Sequence, residues 1–245
     1  MTAPPLALEV RELGARVGAR WIVRGVSFEA RPGEVVAVIG PNGAGKTTLL
    51  ETIVGLRPVN AGTVRVQQHE LVKFVEFARA FSFLPDAGML PPEATVGTLI
   101  EHSSAHAPRG FETRGLRQGL TLEPLLAKPV GTLSRGEHQR VALFCALALG
   151  RAVAVLDEPF STFDPLQLRK VLSTVRDAIG TATAVVASIH QLADAERVAD
   201  RILILAEGKM VAFGDLASLR QRVGHAEASL EGVFISLLEE SNLAS

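Results

Sequence analysis

The chain has 245 residues, 47% hydrophobic and 21% charged, with 25 Lys+Arg against 26 Asp+Glu and a formal net charge of -1. This is enough apolar material for a large core in one domain or two intimate lobes, and it excludes both a disordered chain and the basic footprint of a nucleic-acid-binding domain. Mean hydropathy is +0.26, but every apolar stretch breaks before the about 18 residues needed to span a bilayer, and residues 1–10 lack the pattern of a signal peptide, so the expected place of work is the cytosol.

Residues 6–10 and 21–23 read as short β-like runs, punctuated by Gly14, Gly18 and Gly25. Arg31-Pro32-Gly33-Glu34 predicts a turn into Val35, Val36, Ala37, Val38 and Ile39, a continuous apolar run that suits a strand buried on both faces of a parallel sheet. A helix is predicted from Lys46 to Val54. Between them lies Gly-Pro-Asn-Gly-Ala-Gly-Lys-Thr at residues 40–47, which meets G-x-x-x-x-G-K-[ST] at every fixed position. Such a turn aims backbone N–H groups and a helix N-terminus at one point, where anionic oxygens are favoured. Gly43 and Gly45 permit close backbone approach, Lys46 can reach β and γ phosphates, and the Thr47 hydroxyl can ligate Mg²⁺.

Gly55, Pro58, Asn60 and Gly62 mark turns around a predicted strand at residues 63–67, so the opening third is expected to be mostly β. Residues 80–84 read as a buried strand stopped by Pro85-Asp86. Beyond it, helical runs split at Pro91-Pro92, Pro108, Pro124 and Pro129 suggest an inserted lobe. His102 and His106 have i,i+4 spacing, but no third ligand accompanies them, and a solvated helix face is the simpler account. Ser134 and Glu137 have capping-box spacing ahead of an apolar helix through Leu149, in which Cys145, the lone cysteine, reads as a small core hydrophobe.

Residues 152–156 form a second all-apolar run, ending in Asp157-Glu158, and residues 183–189 a third, followed by His190. Helices over 165–179 and 191–199 separate these runs; a strand at 201–205, a hairpin at Gly208-Lys209 into 210–213, and helices from Leu216 and Leu230 complete the chain. Parallel strands alternating with helices predict a wound α/β sheet with ligands outside the strand carboxyl ends. There, Asp157 suits holding Mg²⁺ through water and Glu158 suits polarising an attacking water.

With its motifs in this order, the chain resembles the nucleotide-binding subunit of an ABC (ATP-binding cassette) ATPase over nearly all residues. Leu133-Ser134-Arg135-Gly136-Glu137 resembles the family signature Leu-Ser-Gly-Gly-Gln, residues 161–165 resemble the D-loop, and His190 resembles the switch histidine that contacts the γ-phosphate. The resemblance implies an α/β fold: a RecA-like P-loop NTPase core with an antiparallel β lobe and an inserted helical lobe. It implies one domain over 1–245, with core and β lobe at about 1–85 and 141–245 and the helical lobe at about 86–140.

ATP and Mg²⁺ are the implied cofactors. Gly40, Pro41, Asn42, Gly43, Ala44, Gly45, Lys46, Thr47, Thr48 and Asp164 would bind the nucleotide, Thr47, Asp86 and Asp157 the metal, with Glu158 and His190 catalytic. A head-to-tail homodimer, or heterodimer with a second ABC subunit, would place each ATP against Ser134, Gly136 and Glu137 of the other chain. Integral-membrane transporter subunits are the implied partners, with the chain peripheral on the inner face of the cell membrane and no nucleic acid.

Four departures from the family pattern stand out. Arg135 and Glu137 replace a glycine and a glutamine; Asp86 stands at the Q-loop position; and Val17 aligns with the A-loop aromatic, in a chain with no tyrosine. Trp21 either replaces that stacking ring or is a core residue; without stacking, base selectivity is expected to be loose. Leu230-Glu231-Gly232-Val233-Phe234 resembles the tail of exporter-type (ABC-2-like) cassettes, which favours export, although its spacing also suits an ordinary packed helix. Rival readings are an ABC ATPase of DNA repair, chromosome organisation or translation, and a regulatory switch that hardly hydrolyses ATP.

Overall fold

The computed structural model describes residues 6–86 and 90–243. Part of the N-terminal stretch read against a signal peptide, residues 1–5, and residues 87–89 at the start of the expected helical lobe lie outside the described residues.

Two long antiparallel strands open the fold, β1 (Leu8–Val17) and β2 (Arg20–Ala30). Where the sequence predicts only short runs, register shifts between Val10 and Arg16 absorb the interruptions and the ladder resumes beyond each. Strand β3 (Val35–Ile39) leads through the glycine-rich turn to helix α1 (Lys46–Ile53). Strand β4 (Ala61–Val66) and the two-residue β5 (His69–Glu70) complete a four-stranded sheet of order β2-β1-β4-β5.

Helix α2 (Phe74–Ala80) interrupts the expected run of β structure. Only Phe77 of its seven residues is buried, so it carries no apolar helical period. Its start is held by Glu76, whose carboxylate accepts the N–H groups of Val72 and Lys73. Strand β6 (Phe81–Leu84) follows, then helices α3 (Val96–Ala105) and α4 (Thr113–Gly119), two short 3-10 turns, and α5 (Arg135–Leu147). The rest alternates strand and helix: β7 (Val153–Leu156), α6 (Pro165–Ile179), β8 (Ala184–Ser188), α7 (Leu192–Val198), β9 (Arg201–Ala206), β10 (Lys209–Gly214), α8 (Leu216–Val223) and α9 (Leu230–Leu243).

The second sheet has order β10-β9-β3-β8-β7-β6, parallel except for the β9-β10 hairpin. Strand β3 explains its own sequence. Val36 and Val38 pack toward β1, β2 and the α1 residues Leu49, Leu50 and Ile53. Ala37 and Ile39 pack into the opposite cluster with α5, α6 and α7. Both faces are dry, so no polar alternation survives, and each buried valine or isoleucine contributes roughly 1.5–3 kcal/mol. Cys145 packs beside the second cluster, where burial pushes its thiol pKa up and keeps it unreactive.

The β9-β10 turn reaches back to the glycine-rich loop. Glu207 and Gly208 both have positive φ, 49° and 75°, as a tight hairpin turn requires. The Gly208 N–H donates to the Ala44 carbonyl at 3.0 Å, and its carbonyl accepts from the Arg24 N–H at 2.8 Å. A Cβ on Gly208 would stand 2.0 Å from the Ile22 carbonyl oxygen. Gly208→Ala therefore combines left-handed strain with a backbone clash, and is expected to lower the unfolding free energy by about 3 kcal/mol, read from urea denaturation.

Candidate active site

Four parallel strands end at one edge of the sheet: β3 before the glycine-rich turn, β8 before His190, β7 before Asp157 and Glu158, and β6 before Pro85 and Asp86. Helix α1 begins at Lys46 with Gly45 as its N-cap, at φ 100° and ψ 13°, and no side chain caps it. A left-handed φ is open to glycine at little cost, and the uncapped first-turn N–H groups remain available to an anion. The Lys46 side chain is buried and donates to the carbonyls of Gly40, at 2.8 Å, and Pro41, at 3.2 Å. Burial lowers its pKa, against the attraction of Glu158 and Asp157. One amine and two carboxylates thus share this edge. Within the turn, Ala44 is buried while Pro41, Asn42, Gly43 and Thr47 are exposed and Thr48 is half-buried.

The two carboxylates differ in setting. Asp157 is 2% exposed, and its Oδ1 accepts the Ser188 hydroxyl at 2.5 Å. Ser188 Oγ in turn accepts the Glu158 N–H at 2.8 Å. Glu158 is half-buried with φ at 47°, a conformation that costs a non-glycine residue about 1–2 kcal/mol. It lines a cavity of about 150 Å³ with His190, Ser161 and Asp194, so Glu158 and the exposed His190 meet around one space. Asp86 is exposed on the adjacent strand end, where the Asp157 N–H donates to the Leu84 carbonyl at 2.7 Å.

The other expected site residues lie elsewhere. Ser134 caps α5: its Oγ accepts the Glu137 N–H at 3.3 Å, while Glu137 accepts the Ser134 N–H at 2.8 Å. Among the described residues, no hydrogen bond or ion pair joins Ser134, Gly136 or Glu137 to residues 40–48, Asp157 or Glu158. A Cβ on Gly136 would come no nearer than 3.9 Å to another group, that of Gln167. Asp164 caps α6, its Oδ1 accepting from the N–H groups of Leu166 and Gln167, both at 2.9 Å. His102 on α3 and His106, which caps its C-terminal end, are exposed with ring centroids 4.5 Å apart.

Val17 ends β1 and is exposed. Trp21 pairs with Arg16, whose guanidinium lies 3.9 Å from the ring centroid, and the ring packs across Gly14, where a Cβ would stand 2.7 Å away. Arg16 and Val17 are successive strand residues and point to opposite faces, so Trp21 lies on the face away from Val17. Trp21 is half-buried and belongs to neither apolar cluster; its ring packs against Arg16 and Gly14 on the sheet face.

Two supporting residues escape the motif search. Ser188 is fully buried between both carboxylate positions. Gln139, also buried, donates to the Pro159 carbonyl at 3.1 Å and ties α5 to the loop after Glu158. Ser188 is a polar residue inside an apolar run, which is the available signal for it; Gln139 stands between His138 and Arg140 and carries none.

A parallel sheet whose strand ends gather a glycine-rich turn, its lysine and a strand-end acidic pair defines a P-loop NTPase. Comparison with known proteins narrows the class. The ABC transporter family pattern matches residues 23–161. The ABC-type transporter ATP-binding protein EcsA of Bacillus subtilis is 30% identical, over 95% of this chain and 97% of that protein. The hemin import ATP-binding protein HmuV of Gloeobacter violaceus is 34% identical, over 84% of this chain and 81% of that protein. A solved structure described as the ATP-binding subunit of an ABC transporter superposes with TM-score 0.85 at 30% identity, covering 95% of this chain and 99% of that one. The chain belongs to the ABC transporter family, as an ATP-binding cassette of the kind that hydrolyses ATP and works with membrane transporter subunits.

The positive φ at Glu158 separates strain from chemistry. Glu158→Gly is expected to be about 1 kcal/mol more stable than Glu158→Ala in urea denaturation, because only glycine releases the left-handed strain.

Proposed function

We propose that this chain is the ATP-hydrolysing engine of a membrane transporter, with ATP bound in the glycine-rich turn and hydrolysed at the end of β7. The observation that carries this reading is the Asp157–Ser188–Glu158 arrangement beside Lys46, which gives two adjacent carboxylates different settings. Residues 40–48 bind the phosphates through backbone N–H groups and the Lys46 amine. Glu158 accepts a proton from water as that water attacks the γ-phosphorus; the bond to the bridging oxygen breaks, leaving ADP and phosphate. His190, across the shared cavity from Glu158, contacts the γ-phosphate.

Mg²⁺ fits the donor set. The exposed Thr47 hydroxyl and the Asp157 carboxylate, held by Ser188, are hard oxygen groups, and magnesium favours one or two carboxylates with waters and phosphate oxygens. When bound, the ion neutralises phosphate charge. Asp86, on the neighbouring strand end, is proposed as a further acidic group toward it. Val17 presents no aromatic face to the base, and comparable turnover of ATP and GTP is the consequence.

We further propose one domain, with core and β lobe at about 1–85 and 141–245 and a helical lobe at about 86–140. Two chains pair head to tail, bringing Ser134, Gly136 and Glu137 of one to the nucleotide of the other, with Asp164 near the joint. This accounts for a signature segment with no bonded link to its own cradle. No helix of the described residues is long and apolar enough to cross a membrane; the chain is proposed to sit on the inner membrane face through separate membrane subunits.

The tail argument for export loses its force, since Leu230, Val233 and Leu237 are buried in the core in ordinary helical packing. A relative named for hemin import carries a similar cassette. A relative named for Nod factor export carries one as well, so the cassette is compatible with either direction of transport.

In the reconstituted complex, Glu158→Gln is expected to cut ATP turnover by about 100-fold or more while retaining ATP binding, as read by steady-state hydrolysis and equilibrium binding. Turnover equal to the parent would assign hydrolysis to another group. Asp86→Ala is expected to shift the Mg²⁺ dependence of turnover to higher concentration; an unchanged titration would remove Asp86 from the metal's surroundings.

A further inference from the structure

The signature segment carries a carboxylate where a neutral amide would serve the same cap. Glu137 Oε2 accepts the Ser134 N–H, and its other oxygen meets the Lys128 ammonium at 2.9 Å. The Glu137 side chain is only 20% exposed, while Lys128 is 46% exposed. Lys128 is anchored by its backbone: its N–H donates to the Leu125 carbonyl at 2.8 Å and its carbonyl accepts from Val96 at 3.1 Å. The ammonium is therefore delivered to Glu137 from a fixed point on the loop before α5.

Ser134 Oγ accepts the Glu137 N–H, so its own proton remains free to be donated to an anionic oxygen. A carboxylate one turn away works against such an oxygen. The carboxyl of Glu137 is drawn down to about 2, first by the Lys128 hydrogen bond and then by Ser134, so it is ionised at neutral pH. Arg135, the first residue of α5, is exposed, and its side chain makes no hydrogen bond or ion pair among the described residues. With Lys128 present this end of the helix is net positive; without it, Arg135 and Glu137 cancel.

We propose that Lys128 is a positioning residue for ATP at the joint between two chains, neutralising Glu137 so that Ser134 and the N-terminus of α5 can meet the γ-phosphate of the other chain's nucleotide. The proposal rests on the two-chain reading above.

The test uses the full chain carrying Glu158→Gln, so that bound ATP persists. ATP-dependent self-association is followed by sedimentation, with ATP binding measured separately. Lys128→Ala is expected to raise the ATP concentration for half-maximal association about tenfold at low salt and less at high salt, with thermal stability unchanged. Lys128→Arg stays within about twofold of the parent. Placed on Glu137→Gln, Lys128→Ala has a clearly smaller effect, because the amide needs no counter-charge and Arg135 keeps this helix end positive.

Lys128→Gln, which keeps the side-chain stem, repeats the measurement should the alanine variant unfold. A Lys128→Ala effect of the same size with Glu137 intact and with Glu137→Gln overturns the proposal, as does an unchanged half-maximal concentration in a parent that self-associates. A parent that binds ATP yet stays monomeric overturns the two-chain reading, and this inference with it.

Discussion

The hydroxyl of Ser188 holds the candidate site in register. Asp157 is buried, and an ionised carboxylate out of water costs several kcal/mol unless its oxygens are hydrogen-bonded or paired. Ser188 supplies a bond to that carboxylate and accepts the N–H of Glu158, so one side chain stabilises one acid and orients the backbone of the next. Glu158 also has a left-handed φ, so the chain turns at the strand end and neighbouring side chains take different directions. Asp157 stays in the dry edge, whereas Glu158 reaches the cavity shared with His190.

That edge needs rigid neighbours. Gly208 bonds at once to Ala44 of the glycine-rich turn and to Arg24 of β2, linking both sheets through one residue without a side chain. Gln139 performs a similar task from α5, holding the carbonyl of Pro159 just beyond Glu158. A direct hydrogen bond therefore ties α5 to the loop after the acidic pair. In a chain proposed to pass motion between nucleotide and membrane partner, that bond joins the signature helix to the hydrolytic edge without an intermediary.

Much of the architecture was legible because burial on both faces leaves an uninterrupted apolar run, as in β3, β7 and β8, and because Ser134 with Glu137 and Asp164 with Pro165 mark helix starts. Strands β1 and β2 were harder: bulges break the period of two, so glycines inside long strands look like turns. Helix α2 was invisible for a different reason, as one buried phenylalanine defines no periodic face. At the site, motif spacing identifies the glycine-rich turn and acidic pair, but not Ser188, Gln139 or Lys128. Their significance depends on contacts 31, 20 and 9 residues away, distances that no local pattern encodes.

Trp21 shows how a single register shift decides a chemical question. By sequence it stands four residues from Val17 and offers the ring that the A-loop position lacks. The bulge between Ala15 and Arg16 pairs Trp21 with Arg16, and strand alternation then sends it to the face away from Val17. There Arg16 covers the ring and Gly14 accommodates it. The ring is committed to the β sheet, and the nucleotide, in the proposed reading, is held chiefly by its phosphates. Charge near those phosphates then matters, and in the proposed reading the Lys128 ammonium beside Glu137 supplies the counter-charge there.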